Sequence, residues 1–325
     1  MANIRDIARE SGLSIGTISR YINSTGYVSE ESAKKIQMVI NEMNYTPNQH
    51  ARALFNSKSK IIGLVFPSLI NPYFSELATI FEHLLQEKGY VIILCNTEDS
   101  REKELQALEL LKGFRVEGII LGRSQCKNEL NKINIPMISY ESTVENNNII
   151  TVSADNYKGG AQAFEHLYKK GCRKLLHIKG PTSFEATQLR YEGFIDAANK
   201  KGIKPEIINF DTDFDLQNKN YIDGVLDNYD MKKYDGIFVF NDIVAAQMLR
   251  YLNEKQIKVP KDIKLLGFDN SYICDLLSPR LSTIEQPIIS IAERCIELLF
   301  EIIDGKEVYE KEHLITTRII QRETT

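Results

Sequence analysis

Cysteine is scarce in this 325-residue chain. Its five copies, Cys95, Cys126, Cys172, Cys274 and Cys295, are widely spread and form no C-x-x-C pair. An odd, scattered set supplies neither a disulfide framework nor a zinc site, and it fits a reducing cytoplasm. The histidines (His50, His83, His166, His177, His313) have no metal-ligand spacing. No apolar run is long enough to span a bilayer, and MANIRDIARE carries charges where a signal peptide would have its apolar core. No membrane partner is therefore expected. Neither G-x-G-x-x-G nor G-x-x-x-x-G-K-[ST] occurs, and no Ser or Cys sits in a nucleophile's context. These absences leave metal, nucleotide and covalent catalysis without residues to carry them, so neither an enzyme nor a cofactor is expected.

What is present is an ordinary globular composition, 43% hydrophobic and 26% charged, with a formal net charge of −4. The charge is uneven. Residues 1–60 hold eight Lys/Arg against five Asp/Glu, a net of +3, which leaves −7 for the rest. A small basic head on an acidic body is the asymmetry expected when only the head meets phosphate, although a chance fluctuation of a few charges would look the same.

The head reads as three helices. Asn3 caps a first helix over 3–11, Gly12 makes a turn, and Ser14 caps a second helix running to about Ile22. Ala8, Gly12 and Ile18 stand where two helices crossing at a tight turn need a small residue, a glycine and an apolar anchor. A third helix follows Ser29, with Ala33, Ile36, Ile40 and Met43 as its apolar stripe. The second helix, in LSIGTISRYINSTGYVS, is rich in Ser and Thr, which are indifferent formers of helix interiors; their hydroxyls are expected to serve something outside the fold. Next, YTPNQHARALFNSKS (45–59) is either a plain linker or a helix of barely two turns that would be mostly unfolded alone.

From Lys60 the pattern becomes short apolar runs alternating with amphipathic helices: KIIGLVFP, YVIILC, VEGIILG, KLLHIKG, DGIFVF and DIKLLGF. This alternation predicts parallel sheet covered on both faces. Strand, proline, helix, glycine and strand over Lys60–Gly89 recur from Lys174 to Gly202, with Pro67 echoed by Pro181, so two similar lobes are expected. Ligands in such folds bind beyond the carboxyl ends of strands. Asn71, Tyr73 and Phe74 follow the first strand, Asp155 lies at a crossover, Asn241 and Asp242 follow DGIFVF, and Asp269 follows KLLGF. All are expected to face one cleft.

IRDIARESGLSIGTISRYIN, NYTPNQHARAL, IGLVFPSLINPYFSEL, SADN, FVFND, GFDN and PRLSTIEQP together resemble, in order and from end to end, the LacI family of bacterial transcriptional repressors. VIILCN, EGIILG and DNYKGG look most like the sucrose-type repressors of Gram-positive bacteria. The resemblance implies an all-α helix-turn-helix head (1–46), a hinge helix and linker (47–59), and an α/β body (60–325) of two doubly wound parallel-sheet lobes like a periplasmic binding protein. It implies that Ile15, Gly16 and Arg20, after the capping Ser14, read bases. Thr17, Ser19 and Asn23 are expected on phosphates. Ile15 has packing inside the head as its alternative. In the hinge, Asn48, Ala51 and Leu54 would meet DNA, with Leu54 as a minor-groove wedge.

For the body the resemblance implies that Arg190 supplies a cation and Phe214 an aromatic wall to a small effector. Glu192, two residues beyond Arg190, adds an acceptor that favours a polyol. The alternatives are a structural ion pair for Arg190 and Asp269, and core packing for Tyr73 and Phe74. The implied function is a cytoplasmic, operator-binding repressor of carbohydrate genes, released by a sugar or sugar phosphate. The rival is a corepressed regulator using a purine or a phosphoprotein. With no leucine-heptad tail after RIIQRETT, a homodimer is expected.

Overall fold

The structure, a computed structural model, describes residues 3–23, 25–43, 45, 59–141, 149–210 and 219–325. It divides into two compact units, residues 1–60 and 61–325.

In the first unit, helices α1 (Ile4–Ser11), α2 (Ile15–Asn23) and α3 (Glu30–Glu42) follow the expected order. Asn3 and Asp6 form a reciprocal capping box at α1, and Gly12 ends that helix at φ 68°, a left-handed conformation that costs glycine little. The Ser14 hydroxyl accepts from the Thr17 N–H at 3.1 Å and so caps α2. Ile7, Ile18, Ile36 and Val39 close a core of one residue layer.

The second unit contains β1 (Ile61–Phe66), α4 (Pro72–Glu87), β2 (Val91–Asn96), α5 (Arg101–Gly113), β3 (Gly118–Leu121), α6 (Lys127–Leu130), β4 (Met137–Tyr140) and β5 (Ile150–Ala154). It continues through α7 (Asn156–Lys169), β6 (Leu175–Lys179), α8 (Glu185–Lys200), β7 (Glu206–Asn209), α9 (Lys219–Leu226), β8 (Gly236–Val239), α10 (Asp242–Glu254), β9 (Lys264–Asp269) and β10 (Ser282–Glu285). The last elements are α11 (Ile288–Ile303), β11 (Glu312–Ile315) and β12 (Arg318–Ile320). Among these, no helix is long and apolar enough to cross a membrane.

Two six-stranded sheets result, in orders β11-β5-β4-β3-β1-β2 and β12-β10-β9-β8-β6-β7. Every described pairing is parallel except β10 with β12. The echo between Pro67 and Pro181 is therefore structural, because β1-α4-β2 and β6-α8-β7 occupy matching places. The chain crosses between lobes three times: after β5, between β10 and α11, and between β11 and β12. At the third crossing, Gln162 of α7 donates to the Thr317 carbonyl at 3.1 Å and accepts from its hydroxyl at 3.0 Å.

The core of the second lobe contains a histidine. His177 on β6 is fully buried and stacks on Phe238 with centroids 4.7 Å apart; its Nδ1 lies 3.1 Å from the Phe238 carbonyl. Its Nε2 has no partner among the described residues. Burial, reinforced by Lys179, lowers its pKa to about 3. The unfolded chain takes up this proton near pH 6.5, so the stability His177 contributes is present above that pH and is lost as pH falls toward 3. Between pH 8 and pH 5 the loss should be about 2 kcal/mol. Urea unfolding of His177→Phe, which keeps the stacked ring, should show a pH 8 to pH 5 difference smaller than wild type by that amount; an unchanged difference would refute the assignment.

Candidate functional site

The cavity that collects the polar residues lies between the lobes, and every wall is built at the carboxyl end of a strand or the helix that follows it. Asn71, Tyr73 and Phe74 follow β1, Arg123 follows β3 and Glu141 follows β4. From the other lobe come Phe184, Ala186, Thr187 and Arg190 after β6, Phe240 and Asn241 after β8, Asp269 at the end of β9, and Gln286 at the second crossover. Asn71 and Asn241 cap α4 and α10. Each accepts a backbone N–H through its side-chain oxygen, at 3.1 Å from Tyr73 and 2.9 Å from Val244, so each carboxamide NH2 remains as a donor group.

At the centre is Arg190, only 3% exposed. Its Nε donates to Asn156 Oδ1 at 2.8 Å and its Nη1 to the Phe240 carbonyl at 2.6 Å, while its Cζ lies 3.7 Å from the Phe268 ring centroid. Nη1 is also 3.6 Å from Asp269 Oδ1. Gln286 Nε2 donates to that same oxygen at 2.7 Å. Arg190 Nη2 and Asp269 Oδ2 have no hydrogen-bonding partner among the described residues. Arg190 Nη2 and Asp269 Oδ2 thus keep hydrogen-bonding capacity, a donor group and an acceptor, that a ligand in the cavity could use.

Burial pushes the Asp269 carboxyl well above its ordinary pKa, against the pull of Arg190, and burial likewise raises Glu141 and Tyr73. A hydroxyl donating to Asp269 Oδ2 would supply the hydrogen bond that burial denies and favour the carboxylate. The turn carrying Asp269 is strained, with φ 122° there and 61° at Asn270. Asp242 ties it down from beneath: its carboxylate accepts from Ser271 N at 2.9 Å and from the Thr283 hydroxyl at 2.6 Å.

Several sequence expectations need correction. Asp155 does not reach the cavity: it caps α7, accepting from Lys158 N at 2.9 Å. Glu192 does not either. Two residues along α8 from Arg190 is about 200° of helical turn, so Glu192 lies on the exposed face and accepts from Gln188. Asp242 is buried below the cavity rather than facing it. The supposed alternatives for Arg190, Asp269, Tyr73 and Phe74 are not exclusive: the ion pair exists and the rings belong to the lobe core, yet all four line the cavity. Arg123, Glu141, Phe184, Thr187 and Gln286 escaped the sequence reading. The strand-end rule could have found Arg123, directly after VEGIILG. A wider groove of about 680 Å³ lies between α4 and α11, but it is open and rimmed by Glu87, Glu293, Glu297 and Glu301.

On the first unit, Ser14, Ile15, Gly16 and Arg20 are exposed on α2, and Thr17, Ser19 and Asn23 are partly exposed. Ile15 is 47% exposed, so it is not packed inside the head. Ser14 bonds Thr17 at 2.9 Å, and Asn23 donates to Ser19 at 3.2 Å. Asn48, Ala51, Leu54 and Phe214 lie outside the described residues.

A helix-turn-helix unit with a hydroxyl-lined exposed helix, joined in one chain to a two-lobed body around a small polar cavity, is the architecture of a ligand-responsive DNA-binding regulator. Residues 3–48 match the family described as bacterial regulatory proteins, lacI family, and residues 164–325 match the periplasmic binding protein-like domain. The chain is 35% identical over its whole length to the ribose operon repressor of Halalkalibacterium halodurans, 97% of which is covered. It is 32% identical over its whole length to the sucrose operon repressor of Streptococcus mutans, 99% of which is covered. A solved LacI-type regulator from Alkaliphilus metalliredigens, complexed with D-xylulofuranose, is 47% identical over 82% of this chain and 99% of that one, with a TM-score of 0.76. The chain belongs to the LacI family of bacterial regulatory proteins.

Proposed function

We propose that this protein is a cytoplasmic homodimeric repressor that holds a palindromic operator through paired α2 helices and releases it when a single-ring sugar enters the interlobe cavity. The observation that carries the effector reading is the buried Arg190–Asp269 pair with one donor and one acceptor unspent, flanked by Tyr73, Phe74, Phe184 and Phe240. Sugar hydroxyls take paired donors and acceptors, and their CH faces stack on rings. The cavity, about 60 Å³, has room for about four waters, or about 120 Å³ of liquid. That is somewhat less than a pentose occupies and far less than a disaccharide. The ribose repressor and the D-xylulofuranose-bound regulator among the similar proteins support this size class. Glu192 faces outward and no longer argues for a polyol.

Asn71, Tyr73, Phe74, Arg190, Asn241 and Asp269 are the proposed sugar contacts, joined by Glu141 and Gln286. The 47–59 segment is the proposed hinge, with Asn48 and Ala51 against DNA and Leu54 wedged into the minor groove. Arg20 is the base reader: bidentate contact to guanine is the commonest specific contact an arginine makes. Arg20→Ala should cost about 1–3 kcal/mol on operator and relax preference at one symmetric position. Equal losses on operator and random duplex would make Arg20 a phosphate contact instead. The reading as a whole is tested by titrating operator complexes with D-ribose, D-xylulose, D-fructose, sucrose and hypoxanthine. Release by a single-ring sugar supports it; tightening by hypoxanthine would establish corepression.

A further inference from the structure

We propose that Arg123 and Phe184 form a gate across the cleft that restricts the cavity to ligands of one sugar ring; this rests on the sugar-binding reading above. Arg123 follows β3 in one lobe, and Phe184 immediately precedes α8 in the other. The guanidinium carbon stands 3.4 Å from the Phe184 ring centroid, close enough for a cation–π contact spanning both lobes. Both side chains line the cavity.

Arg123 is held in place before it meets Phe184. Asp99 receives its Nε at 3.1 Å and its Nη2 at 2.6 and 2.7 Å, and its side chain is only 10% exposed. Glu141 Oε2 lies 4.0 Å from Nη1, is buried, and has no hydrogen-bond partner among the described residues. An unspent acceptor therefore sits just inside the gate. A fork held bidentately has little freedom to swing aside, so a ligand too long for the cavity meets a fixed wall rather than a pliable side chain. Truncating Arg123 or Phe184 removes that wall while leaving Arg190 and Asp269 untouched.

Calorimetric titration of full-length wild type, Arg123→Ala and Phe184→Ala with D-ribose, D-xylulose and sucrose tests the gate. In both variants the affinity for sucrose relative to the better pentose should rise at least ten-fold; an unchanged ratio in both overturns the proposal. The chain has no tryptophan, so Phe184→Trp installs a single reporter at the gate that needs no ligand. In that background Arg123→Ala should shift emission to the red and raise acrylamide quenching at least two-fold. No change there overturns the gate even if the wild type binds none of these sugars, an outcome that would separately sink the sugar reading. Arg123→Lys, which keeps the charge but loses the planar fork, should resemble Arg123→Ala in both measurements; wild-type behaviour from Lys would mean that charge alone suffices and that no stacked gate exists.

Discussion

Replacing Asp269 by Asn should give a repressor that grips its operator normally but needs at least ten-fold more sugar to let go. The change nearly preserves volume while removing the charge that faces Arg190 and one acceptor in the cavity. Charged hydrogen bonds of this kind are worth about 1.5–3 kcal/mol, and each 1.4 kcal/mol is a factor of ten in affinity. In cells the variant should repress without inducing, because a ligand shifts the equilibrium only by its differential affinity for the two states. Operator titrations with and without sugar measure this directly. A corepressed protein would show the opposite, losing DNA binding, and an unaltered sugar response would remove Asp269 from the site. Because Arg190 would keep its charge with less compensation, a thermal melt should accompany the titration.

Gly193→Ala should destabilise the body by about 3 kcal/mol or more, although the residue sits in a helix where alanine is normally preferred. Helices α7 and α8 cross with their backbones in contact. A Cβ at Gly193 would stand 1.8 Å from the Tyr157 carbonyl oxygen, and one at Gly160 would stand 2.0 Å from the Arg190 carbonyl oxygen. Backbone cannot rotate out of the way as a side chain can, so the helices must separate, and Arg190 moves with them. Loss of sugar affinity should therefore accompany the lowered melting temperature. Gly113→Ala is the control: its Cβ would meet nothing within 4 Å, so it should be neutral or stabilise by up to about 1 kcal/mol. A Gly193→Ala protein as stable as that control would refute the close-packing account.

Much of the scaffold was legible because its signals are local. Asn3, Gly12 and Ser14 mark the head's helix ends within a few residues of chain, and the short apolar runs gave β1, β2, β3, β6, β8 and β9 to within about two residues. The strand-end rule then brought Asn71, Asn241 and Asp269 to the right side of the sheets. The strand MISY was not recognised, because Ser139 interrupts its apolar run where the equally short β3 and β8 have none, and Glu141 went with it. Arg190 was reached only through the family resemblance, because nothing in LRYEGF distinguishes a buried arginine from one on a solvated helix face.

Sequence by itself determined the three helices of the head and six of the described strands with their order and approximate ends, since helix and strand periodicity and capping act over a few neighbouring residues. Tertiary structure alone decided which polar side chains share the cavity. Three crossovers bring Arg123 and Glu141 to the same space as Arg190, Asp269 and Gln286, while α-helical geometry turns Glu192 away and the α7 cap retains Asp155. It also gave Gly160 and Gly193 their purpose: read locally, a helical glycine is a weakness, and only the crossing of two backbones makes it a requirement.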